Sequence, residues 1–418
     1  MRFAAFLLLA TALGAQQSPQ ADNEQAELNR AVNETAGSQV DFIKALERHL
    51  AKYPESKQRL PIEKAIAKAA VDVNDNPRAV LYGQKVLAAE PNVSDLPLID
   101  RVIRLLLDSD KPEPAAKSLE LIKRYQREVE ALRAKAGQGH MSEGQWAEEV
   151  NKGLARTYVL EARATGNLGK TDEAAAIAQK AWDTYPGSEA ARERARWLQR
   201  ANKDAEALQC FADAFTIDDS RTTQAERLSD RTHLGEIQKK LNKSEAGLGD
   251  IILAAFDRNV ALKAHRAAEL SKKDPNSAAT DLSEFTLPRT EGTETLRIAS
   301  LKGKTVIMDF WATWCAPCRI QHPMIENVKK KFETDPNVIF LSVDSDEDRA
   351  VVPLFLKEMK WEGPSYYEAG LGRLLNITSI PTVLILGPNG SVSSRMTGFI
   401  PERFEEMLAD RIKEAGAN

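Results

Sequence analysis

Between about residues 20 and 275, apolar side chains return every three or four positions, the spacing that lines one side of a helix. Ala, Leu, Glu, Lys, Arg and Gln dominate this stretch, and all of them favour helix. Proline and glycine interrupt the pattern at Tyr53-Pro54, Asn76-Pro77, Glu90-Pro91, Pro112 to Pro114 and Tyr185-Pro186-Gly187. These breaks predict helices of roughly 12 to 18 residues. After Asp274-Pro275-Asn276-Ser277 the pattern changes. Segments 305–311, 337–344, 365–368, 382–386 and 392–398 are rich in Val, Ile and Phe and predict strands, while 316–334, 348–360 and 401–415 keep the helical spacing. Asn389-Gly390 suits the two-residue turn of an antiparallel hairpin. The expected fold is multidomain, an all-α part at 16–275 followed by an α/β domain at 276–418.

Within the helical part a repeat is visible. Ala162, Ala174, Ala178, Ala181 and Pro186 are followed about 33 residues later by Ala195, Ala207, Phe211 and Ala214, with Asp219 where the proline would fall. A weaker copy is Ala67, Ala79, Gly83, Val86 and Pro91. These spacings resemble degenerate tetratricopeptide repeats of about 34 residues. The resemblance implies stacked helical pairs whose small residues allow close approach, presenting a surface to a protein partner.

The first fifteen residues join Arg2 to an apolar run of about 13 residues ending in small side chains, short of the roughly 20 needed to cross a bilayer. Residues 1–15 therefore read as a secretory signal peptide, cut after Ala12 or Ala15, with an uncleaved N-terminal anchor as the alternative. The expected location is outside the cytosol, periplasmic or extracellular. Lys plus Arg number 57 against 61 Asp plus Glu, a formal net charge of −4, so no basic field exists for a nucleic acid. With 28% charged and 43% hydrophobic residues, the chain of 418 fits neither disorder nor a polytopic membrane protein. Three cysteines exclude a disulfide-stapled scaffold but leave room for one redox pair.

That pair is Cys315-Ala316-Pro317-Cys318, between the strand Val306-Ile307-Met308-Asp309-Phe310-Trp311 and the helical spacing of Ile320, Met324, Ile325, Val328 and Phe332. A cysteine opening a helix meets free amides and the positive dipole end, which favour the thiolate that attacks disulfides. Half of a zinc site needs a second ligand pair at recognisable spacing, and the five histidines, at 49, 140, 233, 265 and 322, are scattered. Neither a metal nor a cofactor is expected. Asp309 to Arg319 resembles the active-site segment of the thioredoxin superfamily, and Ile380-Pro381-Thr382, about 63 residues beyond Cys318, resembles its cis-proline loop. The lead-in Ser300-Leu301-Lys302-Gly303-Lys304, the Trp311-Ala312-Thr313-Trp314-Cys315 start and Pro388-Asn389-Gly390 are similar to the exported TlpA/ResA branch. The resemblance covers roughly residues 280 to 418.

The resemblance implies a protein-disulfide reductase, or more broadly a thiol-disulfide oxidoreductase. Cys315, at an exposed helix start, would attack a client disulfide; Cys318, more buried, would resolve the mixed disulfide. Asp309 would move the proton on and off Cys318. Trp314 would flank the sulfur, and Ile380 and Pro381 would receive an extended client segment. Exported relatives carry a glutamate three residues after the second cysteine, where this chain has Gln321. The expected partners are disulfide-bearing client proteins, an electron donor that a membrane can supply, and a protein docked on the helical part. Two rival readings are an interaction protein with a redox-sensitive thioredoxin-like clasp and a copper chaperone using His322 with the cysteines. Cys210, beside Phe211, reads as an unreactive core thiol. Gly169-Lys170-Thr171 lacks the glycine of a phosphate loop. Asp344, Asp346 and Asp348 imitate the start of a calcium loop, but Arg349 and Phe355 replace its glycine and closing glutamate.

Overall fold

The structure, a computed structural model, describes residues 19 to 417 except 36, 92–94, 136–139 and 221. The leader expected at 1–15 lies outside the described residues. The chain forms two compact units, one within residues 1–125 and the other within 126–418. The change of composition at 275/276 thus falls inside the second unit.

The first unit holds α1 (Pro19–Asn33), α2 (Gln39–Lys52), α3 (Arg59–Asp72), α4 (Asn76–Ala89), α5 (Leu96–Leu107) and the first part of α6 (Pro112–Ala131). The proline breaks fall between these helices or in their first turns. Asp75 and Asp95 cap α4 and α5 by accepting bonds from the amides of Arg78 and Leu98, and Pro77 and Pro97 occupy first turns where no amide is needed. Ile43, Leu46, Ile62, Ile66, Ala67, Ala79 and Tyr82 form the core between the helices.

The second unit continues with α7 (Glu143–Asn167), α8 (Thr171–Thr184), α9 (Ser188–Arg200), α10 (Asp204–Thr216), α11 (Gln224–Asn242) and α12 (Leu248–Lys273). The repeating alanines 162, 174, 178, 181, 195, 207 and 214 are all fully buried. At 25 and 26 residues, α7 and α12 exceed the expected length. In α7 the interior glycines do not break the helix, because a neighbour occupies the space a side chain would take. The Gly166 backbone lies directly under the fully buried Trp197 ring.

The α/β part runs β1 (Thr286–Pro288), β2 (Thr295–Arg297), β3 (Thr305–Trp311), α13 (Ala316–Lys331), β4 (Val338–Asp344), α14 (Val352–Met359), β5 (Ser365–Tyr367), α15 (Leu371–Leu374), β6 (Thr382–Leu386), β7 (Val392–Thr397) and α16 (Pro401–Gly416). Its main sheet has the order β5-β4-β3-β6-β7, with β3 parallel to β4 and antiparallel to β6. The fully buried β3 sits at the centre, which is why it is apolar on both faces apart from Thr305 and Asp309. Alternation along β3 sends Val306, Met308 and Phe310 to one core with Leu341, Val343 and Leu384. Ile307 goes to the other, against Ile325 and Val328 of α13 and Phe404 and Leu408 of α16. The small β1-β2 hairpin was not expected from the sequence. The turn between β6 and β7 also differs: the Gly390 amide bonds to the Gly387 carbonyl, so Pro388 and Asn389 are the central residues. Gly390, at φ +83°, follows them as the left-handed residue of a longer loop, and the register shifts at Ile385/Leu386.

Candidate active site

β3 delivers the chain to the end of the central strand, and Cys315 becomes the N-cap of α13, its Sγ accepting a bond of 3.2 Å from the Cys318 amide. Pro317 fits the first turn of α13, where its missing amide costs nothing. Cys315 and Cys318 are joined by a disulfide. Both are buried to the same degree, 3% exposed, so the expected exposed first cysteine and more buried second one are not what the oxidised protein has. The cause is an apolar cluster of Trp311, Ala312, Val352 and Leu356, with Phe355 and Ile380 packed against it, that encloses both sulfurs. Trp314, by contrast, is 67% exposed, and Ile320, on the first turns of α13, is exposed too. Ile380-Pro381 is a cis peptide bond at the start of β6, and the Pro381 carbonyl accepts a bond from the Gly398 amide. The structure thus brings Ile380 to the cysteine pair and leaves Trp314 open beside it.

Asp309 shares the face of β3 that lies under α13. It is buried, one carboxylate oxygen has no hydrogen-bond partner, and burial, reinforced by the charge of Glu326, pushes its pKa up to about 7. A cleft of about 520 Å³ beside α13 is lined in part by Asp309, His322, Glu326, Lys329, Ser342 and Trp361. Gln321 is buried with both side-chain polar atoms unpartnered. His322 is half-buried and stacks on Trp361 with ring centroids 3.7 Å apart, and burial lowers its pKa. Among the described residues no cluster of three or more His, Cys, Asp or Glu side chains is arranged to hold a metal. Cys210 packs in the core of α9 to α12, where burial pushes its thiol up to about 11.

Some polar residues at the site carry no sequence signal. Asp346 accepts bonds from the Thr313 amide at 2.6 Å and the Thr313 hydroxyl at 2.8 Å, anchoring the turn two residues ahead of Cys315. Asp344 is buried, and burial aided by the Asp346 carboxylate pushes it up to about 9. Trp361 contacts Trp311, Phe355 and His322. The spacing of Asp344 and Asp346 had suggested only an incomplete calcium loop. Their partners Thr313 and Glu368 lie too far along the chain for a local pattern to reveal.

A family model described as Thioredoxin-like matches residues 303–392. The chain is 29% identical over 137 residues to the thiol-disulfide oxidoreductase ResA of Bacillus subtilis, covering 32% of this chain and 75% of that protein. It is 28% identical over 123 residues to the thiol:disulfide interchange protein DsbE of Pseudomonas fluorescens, covering 28% of this chain and 65% of that protein. A solved thioredoxin-family thiol:disulfide interchange protein from Chlorobium tepidum is 29% identical, covers 31% of this chain and 92% of its own, and has a TM-score of 0.28. The C-terminal part of the chain thus carries a thioredoxin-like domain similar to the thiol-disulfide oxidoreductases ResA and DsbE, and a long helical region precedes that domain.

Proposed function

We propose that the protein reduces disulfides in client proteins outside the cytosol, with Cys315 and Cys318 as the redox couple. The observation that carries the reading is the Cys315–Cys318 disulfide at the start of α13, just beyond the strand β3 that buries Asp309. In the reduced protein, the Cys315 thiolate attacks one sulfur of the client disulfide; that S–S bond breaks, a Cys315-client bond forms, and the first client thiolate leaves and takes a proton. The Asp309 carboxylate then accepts the Cys318 proton, and the Cys318 thiolate attacks the Cys315 sulfur. The intramolecular disulfide forms and the second client thiolate departs, so two electrons have passed from the dithiol to the client. A dithiol donor must return them, and a membrane donor fits an exported protein. Trp314, Ile380 and Pro381 form the rim that receives the client segment. Residues 1–15 as a leader, 16–275 as a tetratricopeptide-like partner-docking region and 276–418 as the catalytic domain complete the reading. The buried alanines between helices support the repeat assignment.

The test is equilibration in thiol redox buffers with counting of free thiols. A reversible two-electron couple near about −250 mV or lower marks a reductant, and one near about −150 mV an oxidant or isomerase. With Cys318→Ala, clients accumulate as mixed disulfides on Cys315. Absence of any reversible couple sinks the proposal.

A further inference from the structure

The helical region and the thioredoxin-like domain meet at a closely fitted polar joint within the second unit. Just before α7, His140 Nδ1 lies 2.7 Å from Oε1 of the buried Glu368, and the Ser345 hydroxyl donates to the other Glu368 oxygen at 3.0 Å. The Glu368 amide bonds to the Asp344 carbonyl, and the Ser345 amide bonds to the Trp311 carbonyl at 2.8 Å. One residue on, Asp346 holds Thr313 by two bonds. An unbroken set of hydrogen bonds therefore leads from His140 to the turn 311–313 that presents Cys315.

Two glycines show that the joint is shaped for this contact. A side chain at Gly372 would run into the carboxylate of Glu368 and come 2.7 Å from His140 Nδ1, while one at Gly370 would come 3.0 Å from the Ser142 amide nitrogen. Further bonds hold the two parts together: the Gln145 side-chain amide to the Ser277 carbonyl at 3.2 Å, and the Arg349–Glu143 ion pair.

We infer that His140 is a positioning residue for the dithiol: through Glu368 and Ser345 it fixes the turn ahead of Cys315, so that the helical region sets how readily this cysteine reacts. The inference rests on the redox reading of the cysteine pair. The groups acting on His140 are Glu368 and Glu347, which favour its charged form, with Glu368 bonded to it. On the far side of Glu368 the end of β4 and the loop after it carry Asp344 and Asp346. Removing His140 takes away the bond that holds the Glu368 carboxyl against Ser345 and so loosens the turn, which disfavours a thiolate at Cys315.

The experiment follows alkylation of Cys315 by iodoacetamide against pH in the reduced full-length protein, with peptide mass mapping to separate it from Cys318 and Cys210. His140→Ala and Gly372→Ala are expected to raise the midpoint by about half a pH unit, a threefold loss of thiolate on the acid side. His140→Asn is expected to keep the wild-type midpoint, because its amide nitrogen stands where Nδ1 stands and Asn tolerates the φ of +58° at this residue. The inference is overturned if folded His140→Ala and Gly372→Ala proteins keep the wild-type profile, or if His140→Asn behaves as His140→Ala. Gly372→Ala leaves His140 in place, so a folding defect of one variant does not remove the test. A wild-type protein without a reversible couple would overturn the redox proposal instead, and the redox-buffer titration reads that separately.

Discussion

Asp309 sets function against stability at one residue. Its pKa is raised to about 7 by burial, whereas an unfolded chain would release the proton near 4. Between those values the folded state binds more protons than the unfolded one, so stability falls as pH rises through this window. The cost of holding the buried charge above neutrality is on the order of 4 kcal/mol. Asp309→Asn is therefore expected to raise Tm at about pH 8 and to change it little near pH 4, measured by thermal melts at both pH values. The same variant is expected to slow attack of Cys318 on the mixed disulfide about a hundredfold and to abolish its midpoint near pH 7, read by stopped-flow release of a model client. His140 titrates with the opposite sign. Its pKa is raised, chiefly by the bond to Glu368, so the stabilisation it gives is complete below about 6.5 and is lost as pH rises through its folded value. The Tm difference between the wild type and His140→Ala is expected to shrink between about pH 6 and pH 9. The two residues differ in how visible they were. Asp309 stands six residues before Cys315 and within the same recognisable segment. His140 acts across 228 positions and forms no pattern with its neighbours.

Among the elements, those that carry the dithiol were the most legible, because strong local patterns and tertiary burial agree there. Buried on both faces, β3 and β6 are mostly apolar runs, and the periodicity of α13 matches its packing on Ile307 and Phe404. The missed hairpin β1-β2 has strands of three residues, and β2 exposes Thr295 and Arg297, so neither alternation nor length marked it. The length of α7, 25 residues, exceeds the expected range, and Gly144, Gly153 and Gly166 lie inside the helix, where neighbouring side chains pack closely against their backbones. Gly166 supplies the test. A methyl group there would collide with Trp197, which is itself fixed by a 2.8 Å bond from its indole nitrogen to Glu193. Gly166→Ala should gain helix propensity yet lose about 1 to 3 kcal/mol through overpacking. Chemical denaturation of this variant checks the sign, because a stabilised protein would mean that the ring can move aside.

At the scale of the whole molecule, the two compact units do not follow the boundary that composition suggests, since α7 to α12 belong with the thioredoxin-like domain in the unit at 126–418. Polar contacts such as the Gln145 side chain to the Ser277 carbonyl and His140 to Glu368 tie that unit across the compositional break. All six tryptophans, at 146, 182, 197, 311, 314 and 361, fall in the second unit, whereas helical circular dichroism reports on both. Units with separate cores need not unfold together. The expected outcome in a urea titration is therefore a fluorescence transition that does not coincide with the loss of helix signal. Reduction of the Cys315–Cys318 disulfide should move the fluorescence transition and leave the remaining part of the helix signal where it was, because the disulfide constrains only the second unit. Coincident curves that shift together on reduction would show one cooperative molecule. The α1 to α5 array would then have to be treated as part of the same folding unit as the redox site.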